Sequence, residues 1–201
     1  MIAVEAVFSY GLGMMKPVVR AIISGTLLLA GGLSAQEVPK PEPVAFKVSA
    51  QSFLKPAKWK VEKTASRMRA AQFRVPGEKG KEGGECVFFY FGPGQGGGAQ
   101  ANLNRWVKQS AAEPKPTFKV EEAKVGDTPV AYLFGGGTFM KGPPFGGAKV
   151  PKKNYGMAAA VLGTKPGYIF VKLIGPKAVV DAAKADFKKM IESGLKAEKK
   201  K

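Results

Sequence analysis

The residues best placed to do chemistry in this chain are Gly92-Pro93-Gly94-Gln95-Gly96-Gly97, which have the spacing GxGxxG. They lie between an apolar run and a predicted helix. There, backbone N–H groups and the helix dipole can hold an anion. A dinucleotide site would also need a parallel βαβ unit and an acidic residue about 20 positions on. The nearest acidic residues, Glu113 and Glu121, fall outside any strong strand pattern. Gly94, Gln95, Gly96 and Gly97 therefore stand as a candidate small-anion or partner loop, with a flexible connection as the plainer alternative.

A second candidate is the stretch Gly135 to Gly147. Phe139, Met140 and Phe145 on this glycine-rich backbone could be presented to a partner, with Lys149, Lys152 and Lys153 as a basic rim. The alternative is that these side chains fold back over the sheet edge as a lid. Exposed apolar loops without a partner are uncommon, which favours the lid.

Other chemistry is largely excluded. The chain has no histidine and one cysteine, Cys86. Ser/His/Asp and Cys/His arrangements, zinc sites and a CxxC redox pair all need side chains that are missing. No cofactor motif survives, no EF-hand spacing appears, and nothing selects a lysine or carboxylate for catalysis. Cys86 sits in Cys86-Val87-Phe88-Phe89-Tyr90-Phe91, where a buried small hydrophobe is the expected role.

Residues 1–35 read as a secretory leader. Lys16 and Arg20 form a basic region, Ala21 to Leu33 an apolar run, and Leu33-Ser34-Ala35 a cleavage site. The apolar run falls short of the roughly 20 residues that span a bilayer. A cleaved signal peptide, and so a periplasmic or secreted protein with no stable transmembrane anchor, is expected; a retained anchor is the alternative. Met1, Met14 and Met15 are all candidate starts. The residue directly after Ala35 is Gln36, not a cysteine that could carry a lipid.

The formal net charge is +17. Such an excess favours acidic partners and also keeps a protein soluble. It is densest from Gln51 to Lys81, where a local basic face is expected. Lysine dominates, and only Arg67, Arg69, Arg74 and Arg105 follow residue 35, which argues against sequence-specific nucleic-acid recognition.

Residues 36–50 carry Pro39, Pro41 and Pro43 and suit an extended linker. The folded domain is expected over 51–195, followed by a disordered lysine-rich tail over 196–201. Strand patterns fall at Ala70 to Val75, Cys86 to Phe91, Pro129 to Phe134, Tyr155 to Leu162 and Tyr168 to Ile174, and more weakly at Trp59 to Lys63 and Thr117 to Glu122. The wholly apolar run at Cys86 should be covered on both faces. Gly163 to Gly167 should turn the last two strands into an antiparallel hairpin.

Two helices are predicted. Ala99 to Ser110 puts Ala99, Leu103, Trp106 and Val107 on one stripe. Lys177 to Ser193 follows Pro176, aligns Val180, Ala183, Phe187, Met190 and Ile191, and ends before Gly194. The whole is an α+β protein: a mostly antiparallel sheet with two main helices packed on it.

Trp59, the run Met68-Arg69-Ala70-Ala71-Gln72-Phe73-Arg74, an apolar strand, and a helix carrying Asn104-Arg105-Trp106-Val107-Lys108-Gln109 appear in that order, before further strands and a closing helix. This order resembles the PsbP-like fold, shared with a Ran-binding nuclear-import factor and periplasmic DcrB-type lipoproteins. Phe89 to Gly97 is similar to uncharacterised secreted bacterial proteins of that type. The resemblance implies a sandwich and a binding or assembly role, and carries no active site across. The expected function is a non-catalytic binding or scaffold protein with an unknown protein or acidic partner in the cell envelope. One alternative is a basic binder of acidic polymers or anionic membrane surfaces. A third, a small-ligand carrier, requires a closed apolar pocket between sheet and helix.

Overall fold

The computed structural model describes residues 42–64, 66–110, 112–142 and 148–196, without the side chains of 112–115. The leader, residues 36–41 of the linker, Phe145 and tail residues 197–201 lie outside these.

The strands are β1 (Val44–Val48), β2 (Gln51–Lys55), β3 (Lys60–Val61), β4 (Arg69–Val75), β5 (Gly84–Tyr90), β6 (Ala112–Val125), β7 (Thr128–Lys141), β8 (Val150–Thr164) and β9 (Gly167–Pro176). Helix α1 (Ala99–Lys108) follows β5, and α2 (Lys177–Ser193) follows β9. Seven strands form one sheet in the order β3-β4-β5-β9-β8-β7-β6, and every pairing in it is antiparallel. The α+β expectation holds. The dinucleotide alternative falls, because a sheet of this kind offers no parallel βαβ crevice.

Alternation along the strands creates two faces. Cys86, Phe88, Ala158, Ala160, Ile169, Val171 and Leu173 pack with the α2 stripe of Val180, Ala183, Phe187, Met190 and Ile191. The β1–β2 hairpin closes this layer with Val48 and Phe53. On the other face, Met157, Ala159, Val161 and Phe170 meet Leu103 and Trp106 of α1. At ten residues, α1 is too short to cover that face, and this shortness creates the site.

Three expectations need correction. Val44–Val48 is a strand rather than part of an extended linker, because Val48 is buried against the core. On α1, Asn102 is buried while Val107 is exposed, so the docked stripe is rotated toward Asn102. Gly135-Gly136-Gly137 lies within β7, not in a loop. Their missing Cβ atoms are what let the strand pass there. A Cβ at Gly135 would lie 2.3 Å from the Phe118 ring, one at Gly137 2.4 Å from Pro116, and one at Gly136 3.0 Å from the Tyr155 carbonyl oxygen.

The β8–β9 turn is as tight as its sequence suggests, with Thr164 paired to Gly167 across Lys165 and Pro166. Helix α2 begins one residue later than a Pro176 start would give, with Pro176 in the capping position. Cys86 is fully buried, and burial, followed by the nearby Glu85, pushes its thiol pKa well up. This fits a packing role.

Candidate functional site

Lys172 interrupts an otherwise apolar strand segment, Ile169-Phe170-Val171-Lys172-Leu173-Ile174. Its strand, β9, is the middle one of seven, and in register Lys172 lies between Val87 and Ala159. Alternation places it on the α1 face with Phe170 and Ile174. Its Nζ donates to Gln109 Oε1 at 3.2 Å, at the end of α1. Burial first, then the Arg105 and Arg69 guanidiniums, lower its pKa to about 8, against a weaker opposing pull from Glu85.

Around Lys172 lies a groove of about 1110 Å³. One wall is the last turn of α1 with Arg105, Lys108 and Gln109; the lining also takes in Met140 and Lys141 at the end of β7 and Lys149 just before β8. Met157, Ile174 and Gly175 contribute the floor. Arg105 and Lys108 also complement the negative end of the α1 dipole.

The groove's cations divide into two groups. Arg74 pairs with Glu62 at 2.6 Å, Lys141 with Glu82 at 3.3 Å, and Lys81 with Glu78. Beside them Arg69 pairs with Glu85 at 2.9 Å, and Gln72 Nε2 donates to the same carboxylate at 2.8 Å. By contrast, among the described residues no carboxylate ion-pairs with Lys172, Arg105, Lys108 or Lys149. Arg105 donates to the Asn102 side-chain oxygen.

Tyr155 is 6% exposed and also lines the groove. Its hydroxyl faces the Glu82 carboxylate without closing a hydrogen bond of good geometry. Burial and then Glu82 raise its pKa. In return Tyr155, with Lys141 and Lys152, holds Glu82 below the usual carboxylate range.

The partner-surface residues are split by the fold. Phe139 is buried in the α1-side core, Met140 is 41% exposed at the groove, and Lys149 stands on its rim. Lys152 is tied to Glu82 at 3.5 Å, and Lys153 is exposed away from the groove. They sit on paired strands, with Phe139 opposite Lys152 and Met140 opposite Pro151.

The glycine-rich loop borders a separate cleft of about 360 Å³, lined by Gly94, Gly97, Gly98, Pro129, Gly163, Thr164, Gly167 and Tyr168, without a basic side chain. Gln95 is exposed. The loop is pinned rather than loose: buried Asn102 donates to the carbonyls of Gly96 at 2.8 Å and Gly98 at 3.0 Å. Gly96 has φ +84°, and a Cβ there would lie 2.6 Å from the Phe170 ring.

The basic residues expected to form a face over Gln51 to Lys81 divide: Lys58, Lys60, Lys63, Arg67 and Lys79 are exposed and ion-pair with no carboxylate among the described residues, whereas four others are taken up. Lys55 is 5% exposed and donates to the carbonyls of Pro56 at 3.0 Å and Trp59 at 2.5 Å. Arg69, Arg74 and Lys81 are paired with carboxylates, as above. Within the groove the cations without an ion-paired carboxylate include Lys172, Arg105 and Lys108, which were not singled out from sequence as a site. The available signal was Lys172 itself, one charge inside an apolar strand.

Among the described residues no cluster of His, Cys, Asp and Glu could hold a metal, and no helix is long and apolar enough to cross a membrane.

This architecture is an α+β sandwich of PsbP type. The solution structure of cyanobacterial PsbP, CyanoP, from Synechocystis sp. PCC 6803 matches with a TM-score of 0.50 at 13% identity, covering 82% of this chain and 96% of that one. At that identity the likeness concerns the fold alone. A protein of unknown function from Pseudomonas aeruginosa, PA94, aligns at a TM-score of 0.39 and 11% identity, over 76% of this chain and 95% of its own. No family model and no curated protein matches the chain.

Proposed function

We propose that this is an exported, non-catalytic binding protein whose working face is the groove between α1 and the sheet, and whose partner is acidic. The observation that carries this is the position of Lys172 at the centre of the sheet, facing Arg105, with no carboxylate paired to either among the described residues. A lysine there is unfavourable for packing and favourable for holding an anion. The PsbP-type fold supports a holding role, and the sequence supplies no nucleophile–base pair. The leader supports export to the periplasm or exterior; N-terminal sequencing of the exported product should begin at Gln36.

The test is retention of the purified protein on heparin and titration with oligoglutamate. Binding should weaken as salt rises and weaken further in a Lys172→Met, Arg105→Gln double variant. Unchanged binding by that variant would reject the groove as the working face. The charge of +17 favours a second reading, diffuse attraction to acidic polymers or anionic membranes. That reading expects the double variant to lose no more than any two surface lysines do. The carrier alternative has less support, since the layer under α2 is filled by Phe187, Met190 and Ile191 and the groove is open and charged.

A further inference from the structure

Resting on the groove as the working face, we propose that its floor is a receptor for one compact oxyanion, a phosphate or carboxylate group of a small polyvalent solute, held between Lys172 and Arg105. The distribution of pairing carries this. At the rim, Arg74, Lys81 and Lys141 are each answered by a carboxylate, with Lys149 the exception. The unanswered charge gathers on the α1 side of the groove, on half-buried Lys172 in the sheet and on exposed Arg105 and Lys108 of the helix. Lys172 rises from the sheet beneath the α1 wall, where a flat surface does not reach but a small solute does. Gln109 Oε1 already holds the Lys172 ammonium, leaving its other N–H groups to donate to an incoming oxygen. Arg105 supplies a fork that suits two oxygens of one group.

The groups packed around Lys172 define how binding responds to pH. Helix α1 contributes Arg105, Lys108 and Gln109, β4 contributes Arg69, β5 contributes Glu85 paired to that arginine, and β8 contributes uncharged Ala159. Without an anion the amine pKa stands at about 8. An anion against it favours the charged form, so binding near pH 8 takes up a proton and affinity falls as pH rises past 8.

The experiment is calorimetric titration of the full chain with inorganic phosphate and with citrate at pH 7 and 8, in buffers of different ionisation enthalpy. Heparin and phosphatidylglycerol vesicles serve as parallel arms. The expected result is saturable one-to-one binding of a small anion with proton uptake at pH 8. Lys172→Met should weaken it about tenfold or more. Lys172→Arg should keep binding but abolish the proton uptake, a change that mere packing would not produce. Arg105→Gln, on an exposed helix position, gives an independent loss should the strand variants fold poorly. Small anions failing to bind while heparin retention still drops in the variants would overturn the compact receptor and leave the acidic-partner groove standing. Binding of vesicles but not of phosphate or citrate would assign the site to lipid headgroups and overturn the proposal. Indifference of every arm to Lys172 and Arg105 would overturn both.

Discussion

Lys172 Nζ donates to Gln109 Oε1 at 3.2 Å, joining the centre of the sheet to the residue that ends α1. This bond crosses 63 residues of sequence and holds a charged group where its neighbours in the strand are apolar. The fold tolerates Lys172 rather than needing it. A lysine whose folded pKa is lowered toward 8 opposes folding while charged, and the opposition is relieved as pH rises from about 8 toward its ordinary value of 10.5. Lys172→Met should therefore raise stability at pH 7 by about 1 kcal/mol, discounted because the side chain is only half-buried. It should also flatten the rise in stability between pH 8 and 10. Urea unfolding across that range checks both.

Glu121 on β6 has the opposite sign. Lys188 at 2.8 Å and Lys184 at 3.3 Å, both on α2, hold its carboxylate down to about 2. Lys184 also lies 3.8 Å from the centre of the Phe134 ring. The stabilisation is present above the unfolded carboxylate pKa of 4.5 and is lost as pH falls from there toward 2. Glu121→Gln should lose about 1 kcal/mol at pH 7, given that the lysines are partly solvated. Acid unfolding should start at lower pH in the variant relative to its own neutral-pH stability.

Gly194 caps α2 with φ −86°, so left-handed backbone is not what requires glycine. Space is: a Cβ there would lie 2.3 Å from the ring of Phe53, which is fully buried on β2. Gly194→Ala should destabilise by about 1–3 kcal/mol through overpacking, and calorimetry should show a lower Tm. A Phe53→Leu change made with it should recover part of the loss, since it removes the opposing ring atoms.

Tyr132 is 2% exposed and its hydroxyl has no hydrogen-bond partner among the described residues. Burial, then Glu192 and Glu121, push its pKa up to about 12, so it remains neutral over the working range. Tyr132→Phe removes an unsatisfied buried polar group while keeping the ring stacked on Phe134, 5.8 Å away. Stability should rise by about 1 kcal/mol in chemical denaturation, without a change in slope.

What the sequence by itself determined follows from local periodicity and turn chemistry. The apolar spacing of α2 marks Lys177–Ser193 and its buried stripe, and Gly163 to Gly167 marks the last hairpin. Alternation and apolar runs mark the central strands, though short ones such as β1 pass unseen beside three prolines. Tertiary structure decided the meaning of the glycines and of the charges. A glycine has no side chain to declare its reason: Gly97 lies in a loop, whereas Gly135 makes way for Phe118. A lysine is likewise solvated or uncompensated according to what faces it. Lys55 meets backbone carbonyls and Lys81 meets Glu78, while Lys172 meets Gln109 and feels the charge of Arg105, both brought from more than sixty residues away. The site exists because antiparallel pairing sets β9 at the sheet centre under a helix too short to cover it, a relation that no local stretch of sequence contains.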